Sequence, residues 1–391
     1  MILHIFPDDK FIDAAIDTFE AVNPNNNTYI VGINGNNAKW VKKNNEKVKT
    51  IQYGSSDYDT IALDTIKYDS VILHYLDNPK IKIINNSPVG VKFIWNSWGG
   101  DIYNDLPEWR YKIYGKATRL LLLKFQSKNI FEYFLRRSFL ICIARNIKAE
   151  IRLKHKRKSL EKVHFYSSVL PNEKEIITRS FKLKSKYVLF NYNFDKDFLN
   201  IVNYQKYNFN QSRKKNILLG NSSAPTNNHH EIINILSTID IKNRLVIAPL
   251  SYGGAANYLE YIKAYATKML GKNFLALDIF LPADEYFNLI ASCSICIMNH
   301  YRQNGMGNVI FMLWLGVKVF LSERNPAYSY FSNLGIKLFS IETDLNNSSK
   351  NNVFTELTEY DKLNNKRLIE NFYGYEAMLK RAKNFCDTIS E

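Results

Sequence analysis

The chain has 391 residues, of which 46% are hydrophobic, and this is enough for two domains of ordinary size with their own cores. Met1 leads directly into the strand-like run Ile2–Phe6, and no apolar run approaches the roughly 20 residues that span a bilayer. We therefore expect neither a signal peptide nor a transmembrane helix. The four cysteines form no disulfide framework, so we expect a reduced, cytoplasmic protein.

The formal net charge of +15 is concentrated in one segment. Between Arg110 and Lys158 there are fifteen basic and two acidic residues, which gives a local balance of +13. The basic residues are mixed with leucine, isoleucine and phenylalanine at helical spacing, a pattern that suits an anionic membrane surface. Nucleic acid is the rival partner, and a solvated helical face over an ordinary core is the third interpretation.

The first half of the chain alternates strand-like and helix-like stretches. Runs rich in Ile, Val and Tyr predict strands, and stretches with helical spacing fall between them. The predicted strands are Met1–Phe6, Thr28–Ile33, Val48–Tyr53, Ser70–Tyr75, Val91–Trp95, Lys162–Ser168 and Tyr187–Tyr192, and the predicted helices are Asp9–Ala21, Thr60–Lys67 and the basic segment, residues 110–158. This alternation predicts a parallel sheet with helices on both faces.

The periodicity is then lost in a stretch rich in Asn, Tyr, Lys and Asp, and we place an interdomain linker at residues 201–215. The same alternation restarts after this linker. Its predicted strands are Asn216–Gly220, Arg244–Ala248, Phe274–Leu277, Ser294–Met298 and Val317–Leu321, and its predicted helices are His229–Ser237, Tyr258–Leu270, Asp284–Ala291 and Val309–Leu315. We predict an α/β protein of two doubly wound, Rossmann-like domains, 1–200 and 216–372, facing a central cleft, with a C-terminal helix at 373–391.

Polar, glycine-bearing loops follow the predicted strands of the second domain. The turn from Arg302 to Asn308 joins a strand to a helix and would present free backbone N–H groups and a positive dipole end to an anion. Gly305 and Gly307 would let a phosphate approach the backbone, and Arg302 could grip a diphosphate. An ordinary turn sharpened by glycines is the alternative interpretation. The candidate ligand-binding residues of these loops are Gly220, Asn221, Ser222, Asn227, His229, Tyr252, Arg302, Gln303, Asn304, Gly305, Gly307 and Asn308.

A second motif, in the first domain, combines two tryptophans, two glycines and an aspartate directly after a predicted strand. Aromatic platforms beside a carboxylate suit sugar recognition. The candidate sugar-binding residues are therefore Trp95, Trp98, Gly99 and Tyr103. Asp101, Asp9 and His74 follow strands of the same sheet and are candidates to deprotonate an acceptor hydroxyl. Helix capping is the alternative role, and Asp8 in particular precedes a helical stretch.

Metal binding has one possible signal. Asp57-Tyr58-Asp59 is a DxD triplet, which some sugar-nucleotide enzymes use to hold Mg²⁺ or Mn²⁺. The triplet begins a helix-like segment, and we favour helix capping as its role. No His, Cys or Glu spacing indicates zinc, so we expect no metal and no cofactor.

Together these motifs resemble the bacterial TDP-4-acetamido-4,6-dideoxygalactose (N-acetylfucosamine) transferases, which extend the lipid-linked precursor of enterobacterial common antigen. The matching stretches are His4–Asp9, Phe93–Tyr103, Leu218–Ser222 with Asn227 and His229, Arg302–Gly307, and Asn325-Pro326. The resemblance implies a GT-B glycosyltransferase without an obligatory metal. It also implies that the second domain binds the nucleotide sugar and that the first domain binds the acceptor.

The resemblance further implies an acceptor linked to a polyprenyl diphosphate, which would give the basic segment a purpose at the membrane. In such a fold the last helix often crosses back onto the first domain, and Tyr373–Ile389 is the candidate. We expect a hexosyltransferase that moves a deoxyamino or deoxy sugar from a dTDP-type donor to a lipid-linked glycan. It would be peripheral on the cytoplasmic face of the bacterial inner membrane, with no nucleic-acid partner.

Two alternatives remain open from the sequence. A sugar-nucleotide epimerase of the same fold would use the same cleft loops, but it would need no membrane-binding surface. The second alternative is a non-enzymatic protein that binds membrane or nucleic acid through the basic segment. In such a protein the ordered loops of the second half would have no function.

Overall fold

The computed structural model describes residues 1–42, 46–107, 109–190, 215–241, 243–346 and 353–391. These residues fall into two compact units. Unit 1 contains residues 1–107, 147–199 and 374–391, and unit 2 contains residues 108–146 and 200–373. The predicted linker, 201–215, lies outside the described residues except for Lys215.

Unit 1 is built on a parallel sheet with the described strand order β3-β2-β1-β4-β5-β6-β7. Its strands are β1 (Ile2–Pro7), β2 (Asn27–Ile33), β3 (Val48–Gln52), β4 (Ser70–His74), β5 (Phe93–Asn96), β6 (Val163–Ser167) and β7 (Lys186–Tyr187). The chain moves outward from β1 to β3 and then returns to β4 on the other side of β1. Ligands of doubly wound sheets bind at the carboxyl ends of the strands beside such a reversal, which here lies between β1 and β4.

Unit 2 repeats this plan with the described strand order β10-β9-β8-β11-β12-β13. Its strands are β8 (Asn216–Leu219), β9 (Val246–Pro249), β10 (Phe274–Leu277), β11 (Cys293–Met298), β12 (Lys318–Leu321) and β13 (Phe339–Ser340). The reversal lies between β8 and β11. The predicted doubly wound α/β architecture is thus confirmed, and only the short β13 was not predicted in this half.

The helices of unit 1 are α1 (Ile12–Val22), α2 (Ser56–Asp64), α3 (Asn78–Asn86), α4 (Gly100–Tyr103), α9 (Glu173–Phe181) and α16 (Tyr375–Ser390). Those of unit 2 are α5 (Trp109–Lys112), α6 (Lys116–Phe125), α7 (Ile130–Arg137), α10 (His229–Ser237), α11 (Ala256–Leu270), α12 (Ala283–Ala291), α13 (Met306–Trp314), α14 (Pro326–Asn333) and α15 (Glu359–Tyr373). The boundary between the units falls inside α8 (Phe139–Leu160). None of the described helices is both long and apolar enough to cross a membrane.

The C-terminal helix α16 belongs to unit 1. It buries an apolar stripe, which includes Ala382, Phe385 and Ile389, in the same core as α1. The Phe385 ring stacks on Phe190 with the ring centroids 4.6 Å apart. This spacing of three and four residues places one helix face against the core and leaves the charged face in solvent.

The basic segment is divided between the units, whereas the predicted boundaries placed all of it in the first domain. The reason is the packing of α6 in unit 2. Leu121 is buried in the unit 2 core together with residues of α10. Thr118 donates to the Glu231 carboxylate from its backbone N–H (2.9 Å) and from its hydroxyl (2.6 Å). Residues 108–146 are therefore part of unit 2.

In unit 1, Lys156 of α8 is a buried structural cation with 3% exposure. Its Nζ donates to the backbone oxygen of Asp101 and to Asp105 Oδ2, both at 2.6 Å. The same atom lies 5.1 Å from the Trp95 ring centroid. Charge-assisted hydrogen bonds in a nearly dry environment are among the stronger polar contacts, and here they connect α8 to the loop that follows β5.

Arg157 has a similar structural role, because its Nε (2.9 Å) and Nη2 (2.7 Å) both donate to the backbone oxygen of Ser180. Lys154 and Lys158 are exposed. Of the basic residues at 154–158, Lys156 and Arg157 are therefore not available to a partner at the surface. The sequence alone does not distinguish them from the exposed Lys154 and Lys158.

Replacing Lys156 by Ala should lower the free energy of unfolding by about 2–4 kcal/mol, because a buried carbonyl and the Asp105 carboxylate lose their shared donor. Lys158→Ala is the matched control on an exposed neighbour and should change it by less than about 0.5 kcal/mol. Urea unfolding followed by circular dichroism measures both. Equal losses in the two variants would contradict this structural role for Lys156.

Candidate functional site

The start of α13 is the strongest candidate anion site in unit 2. Gly305, the residue before the helix, adopts a left-handed conformation with φ of 65° and provides no side chain to cap the first turn. The first N–H groups of a helix have no partner within the helix, and together with the dipole they attract an anion. A Cβ atom at Gly305 would lie 3.1 Å from Asn221 Cγ, so glycine suits both the backbone angle and the close approach.

Asn221 holds together the loops that follow β8, β9 and β11. Its backbone N–H donates to Asn227 Oδ1 at 2.9 Å. Its side-chain Oδ1 accepts from His300 Nε2 at 2.9 Å, and its Nδ2 donates to the Tyr252 hydroxyl at 3.4 Å. Since β8 and β11 flank the reversal of unit 2, these bonds shape the position where a doubly wound sheet binds its ligand.

Two buried histidines support these loops from within the unit. Burial lowers the pKa of His229 and of His300 to about 3 in each case, so both rings are neutral at pH 7. His300 Nε2 carries the proton that it donates to Asn221, which leaves Nδ1 as an acceptor. His300 Nδ1 and Gln303 Oε1 are buried, and neither has a hydrogen-bond partner among the described residues. Such acceptors fit N–H or O–H groups of a ligand rather than its phosphates.

Several candidate donor-binding residues lie inside the unit rather than at its surface. Ser222 is 3% exposed, and Asn227 and His229 are fully buried. Ser222 Oγ accepts from Asn227 Nδ2 at 3.2 Å. A Cβ atom at Gly220 would lie 2.5 Å from Asn227 Oδ1, so this glycine is required by close packing. The predicted donor-binding role of Ser222 is therefore corrected to a role in shaping the loop.

The remaining donor candidates, which are at least partly accessible, are Asn221, Tyr252, Arg302, Asn304, Gly305, Gly307 and Asn308. Tyr252 is 38% exposed, and Asn308 Nδ2 donates to the Tyr286 hydroxyl at 2.6 Å. Arg302 is half-buried, and its Nη1 donates to the backbone oxygen of Gln303 at 2.9 Å. This contact places the guanidinium beside the turn that precedes α13.

Arg324 is a second cation at this edge of the sheet that the sequence analysis did not assign. It follows β12, the neighbour of β11, and its guanidinium carbon lies 4.5 Å from the Tyr301 ring centroid. Asn325 caps the next helix, α14, by accepting from the backbone N–H of Ala327 at 3.0 Å. The Asn325-Pro326 pair was the available signal, because it marks a helix start directly after a strand.

In unit 1, Asp101 is used entirely within the protein. Its Oδ2 accepts from Trp95 Nε1 at 2.7 Å and from the backbone N–H of Leu76 at 2.9 Å, and its Oδ1 accepts from the N–H of Trp98 at 2.9 Å. Burial raises the pKa of Asp101, and Lys156 and these donors oppose the rise. Because both oxygens are occupied, the predicted proton-accepting role is corrected to that of organising the loop after β5.

His74 is also interior, with 0% exposure. Its Nε2 lies 3.1 Å from His4 Nδ1, its Nδ1 lies 3.3 Å from Asn96 Nδ2, and its ring stacks on Phe6 at 3.7 Å between centroids. Burial lowers the pKa of His74 well below its ordinary value. The ring is therefore a packed part of the core, and the predicted role as a base is corrected.

Two of the acceptor-binding candidates are likewise buried. Trp95 is fully buried, and the hydroxyl of Tyr103 donates to Glu173 Oε1 at 2.7 Å inside the unit. Gly99 has φ of 95°, a conformation that glycine adopts readily, and it forms the turn into α4. Trp98 alone of these four presents part of a large side chain to solvent.

Asp9 differs from the other candidate bases. Its Oδ1 is buried without a hydrogen-bond partner among the described residues, and burial raises its pKa, although Lys10 and the N–H of Phe11 lower it. The neighbouring Asp8 accepts from the backbone N–H of Trp40 at 3.0 Å. Asp8 thus holds a loop and does not cap α1, so its predicted role as a cap is wrong.

Half-buried aromatic rings lie in the loops on either side of the reversal in unit 1. The Trp98 ring centroid is 5.7 Å from Phe11 and 5.9 Å from Tyr75. Tyr75 has φ of 58°, a strained conformation for a tyrosine, and such strain concentrates at functional sites. A Cβ atom at Gly100 would lie 3.0 Å from the Tyr75 ring. Tyr75 was not assigned from sequence, although it directly follows β4.

Asp57 and Asp59 occupy the first turn of α2, where acidic residues favour the helix dipole. The cap itself is Ser55, whose hydroxyl oxygen accepts from the N–H of Tyr58 at 3.2 Å. Within the described ranges, no group of three or more His, Cys, Asp or Glu side chains is arranged to hold a metal ion.

Solved structures with similar folds span the whole chain. A glycosyltransferase from Rickettsia africae ESF-5 aligns with a TM-score of 0.64 and 14% identity, over 99% of this chain and 98% of that one. Sucrose-phosphate synthase from Thermosynechococcus elongatus aligns with a TM-score of 0.60 and 10% identity, over 100% and 99%. The E. coli trehalose-6-phosphate protein bound with UDP-2-fluoro glucose aligns with a TM-score of 0.61 and 9% identity, also over 100% and 99%.

These similarities show that the fold is that of the GT-B glycosyltransferases. The model of one sequence family, described as 4-alpha-L-fucosyltransferase glycosyl transferase group 56, matches residues 177–383, which is more than half of the chain. The chain therefore belongs to glycosyl transferase group 56, the 4-alpha-L-fucosyltransferase family.

Proposed function

We propose that this glycosyltransferase moves a 4-acetamido-4,6-dideoxygalactose-like sugar from a dTDP-sugar to a lipid-linked glycan in bacterial surface polysaccharide synthesis. Unit 2 binds the donor and unit 1 binds the acceptor. The protein works as a peripheral protein on the cytoplasmic face of the inner membrane. The motif resemblance to N-acetylfucosamine transferases supports this choice of substrates, and so does the family description, because fucose is itself a 6-deoxygalactose.

The observation that carries the proposal is the uncapped N-terminus of α13 with Arg302 beside it. The backbone N–H groups of Met306 to Asn308 and the Arg302 guanidinium bind the donor diphosphate. Arg324, at the same sheet edge, adds a second positive charge. Fixed donors and cations of this kind stabilise the negative charge that develops on a departing nucleotide.

Gln303 and His300 act on the other part of the donor. Their buried acceptor atoms have no partner among the described residues, and a diphosphate has no proton to give them. An acetamido N–H, a sugar hydroxyl or the N–H of a thymine ring would satisfy them. A dTDP-acetamidosugar carries all three groups.

On the acceptor side, Asp9 is the proton acceptor and Trp98 with Tyr75 forms an aromatic surface for a sugar ring. The acceptor hydroxyl oxygen bonds to the anomeric carbon of the donor as the bond from that carbon to the diphosphate oxygen breaks. The hydroxyl proton passes to the Asp9 carboxylate, and the electron pair of the broken bond leaves with dTDP. A carboxylate whose pKa is raised by burial is better matched to this task than an exposed one.

Arg302→Ala should weaken dTDP binding about 10- to 100-fold, because charge-assisted hydrogen bonds to the diphosphate are lost. The melting temperature should stay near that of the wild type, since Arg302 lies at the edge of the sheet. Isothermal calorimetry with dTDP and a thermal melt measure both effects. Arg367→Ala, an exposed arginine of the same unit, is the control and should bind normally. Unchanged dTDP affinity in folded Arg302→Ala would remove this residue from the site.

The value of kcat/KM should fall as the pH drops through the raised pKa of Asp9, because a protonated carboxyl cannot accept the hydroxyl proton. Asp9→Asn should lower kcat/KM at neutral pH by about 100-fold or more and should remove this acidic limb. Asp8→Asn is the control and should retain the limb. Rates with an extract of lipid-linked glycans across a pH series provide the test. An unaltered limb in Asp9→Asn would assign the proton to another group.

Turnover should not require a divalent metal, because the α13 N-terminus and Arg302 supply the positive charge for the diphosphate. Rates in excess EDTA should therefore equal those without it. Loss of turnover in EDTA with recovery on adding Mg²⁺ or Mn²⁺ would contradict this and would favour Asp57 and Asp59 as metal ligands.

A further inference from the structure

We propose that α7 docks unit 2 on an anionic membrane by inserting its apolar face into the interfacial region of the bilayer. This inference extends the proposed function, and it rests on it for its biological purpose, since a lipid-linked acceptor is presented at a membrane. The sequence alone indicated attachment through the charge of the basic segment. Here the attachment is made by α7 of unit 2, and burial of apolar side chains adds to the attraction between charges.

The first observation is the exposure of four large apolar side chains on one short helix. Ile130 is 69% exposed, Phe131 74%, Phe134 59% and Leu135 45%. Ile130 and Phe134 are four positions apart, as are Phe131 and Leu135, and Phe131 and Phe134 are three apart, so the four side chains share one broad face of α7. A contiguous exposed apolar face of this kind marks a site that is covered by a partner or a membrane.

The helix that carries this face is held in shape by its own polar contacts. Asn129 Oδ1 accepts from the N–H of Glu132 at 2.8 Å, and Glu132 Oε2 accepts from the N–H of Lys128 at 2.7 Å. Arg136 donates to Glu132 Oε1 from Nε (3.0 Å) and Nη2 (2.6 Å). Capping and this ion pair stabilise an eight-residue helix without using its apolar face. The face is therefore available in a preformed helix.

Charge complementarity identifies the occupant as an anionic lipid surface. Residues 109–146 contain nine basic residues and one acidic residue, Glu132, which is already paired with Arg136. The exposed bases of this segment include Lys112, Lys116, Arg119, Lys124 and Lys128. An anionic bilayer offers acyl chains to the apolar face and phosphates to these cations, which is the combination that interfacial helices recognise.

The docking helix is connected to the donor loops through α6. The N–H of Gly115 donates to Asn228 Oδ1 at 2.8 Å, and Asn228 Nδ2 donates to the backbone oxygen of Asn299 at 2.8 Å. Asn299 directly follows β11, and Glu231 of α10 binds Thr118 of α6. Through these contacts the segment that carries α7 is fixed to the loops of the same unit that follow β8 and β11.

The test is co-sedimentation of the full chain with vesicles of phosphatidylethanolamine and phosphatidylglycerol at about 0.05 and 0.5 M salt, which weakens surface attraction but not apolar insertion. Wild-type protein should retain binding at the higher salt. Phe131→Ser/Phe134→Ser should lower the partition coefficient about tenfold or more at both salt concentrations. The matched control is Tyr360→Ser/Leu363→Ser, which removes an exposed aromatic and an exposed apolar residue, also three positions apart, from α15 of the same unit. It should bind like the wild type.

Equal binding of the two double variants would overturn the proposal, and so would complete loss of wild-type binding at the higher salt. Sedimentation velocity without vesicles gives a further outcome. A self-association that Phe131→Ser/Phe134→Ser abolishes would assign the face to a second copy of the chain instead. Calorimetry of the wild type with dTDP keeps the two proposals separate, because failure of the wild type to bind dTDP counts against the donor site and leaves the vesicle comparison unaffected.

Discussion

The hydrogen bonds of Asn221 are the constraint on which the loops at the carboxyl edge of the unit 2 sheet depend. One side chain and its backbone N–H connect the loops after β8, β9 and β11, and the same side chain lies against Gly305 at the start of α13. Parallel strands end at one edge of a sheet, but their loops converge only if polar groups hold them there. Because His300 is buried and neutral, it can donate from Nε2 without bringing a positive charge into the interior.

In unit 1, buried polar side chains likewise hold the loops at the carboxyl edge of the sheet. Asp101, His74 and Lys156 are buried and hydrogen-bonded, and burying polar groups in this way is favourable only when their partners are present. These residues define the loops after β4 and β5. At the same edge of the sheet, the Asp9 carboxylate has one oxygen without a hydrogen-bond partner among the described residues, and the Trp98 ring is half-buried. Of the residues singled out from the sequence, Asp101 and His74 thus hold these loops from within, whereas Asp9 and Trp98 are only partly buried.

The basic segment shows that the net charge of a sequence is not enough to identify what binds to its surface. Lys156 and Arg157 form hydrogen bonds within unit 1. The lysines of residues 109–146, which belong to unit 2, are instead exposed to solvent, and so is the apolar face of α7. Charge attracts a protein to an anionic surface over a distance, but screening by salt limits it. An apolar face adds an attraction that salt does not screen. Charge and an apolar face together suit a surface that presents both anionic headgroups and acyl chains.

The sequence by itself determined the two doubly wound sheets, because runs of β-branched residues and helical spacings are local properties that do not depend on distant neighbours. It also determined the strand-to-helix turn at Gly305, because a glycine between two apolar runs indicates a turn from the neighbouring residues alone. Only the tertiary structure decided which polar side chains face inward, as it did for Asp101 and His74, and that residues 108–146 join unit 2. Burial and unit membership depend on contacts between residues far apart in the chain, such as Thr118 with Glu231, and periodicity carries no record of those contacts.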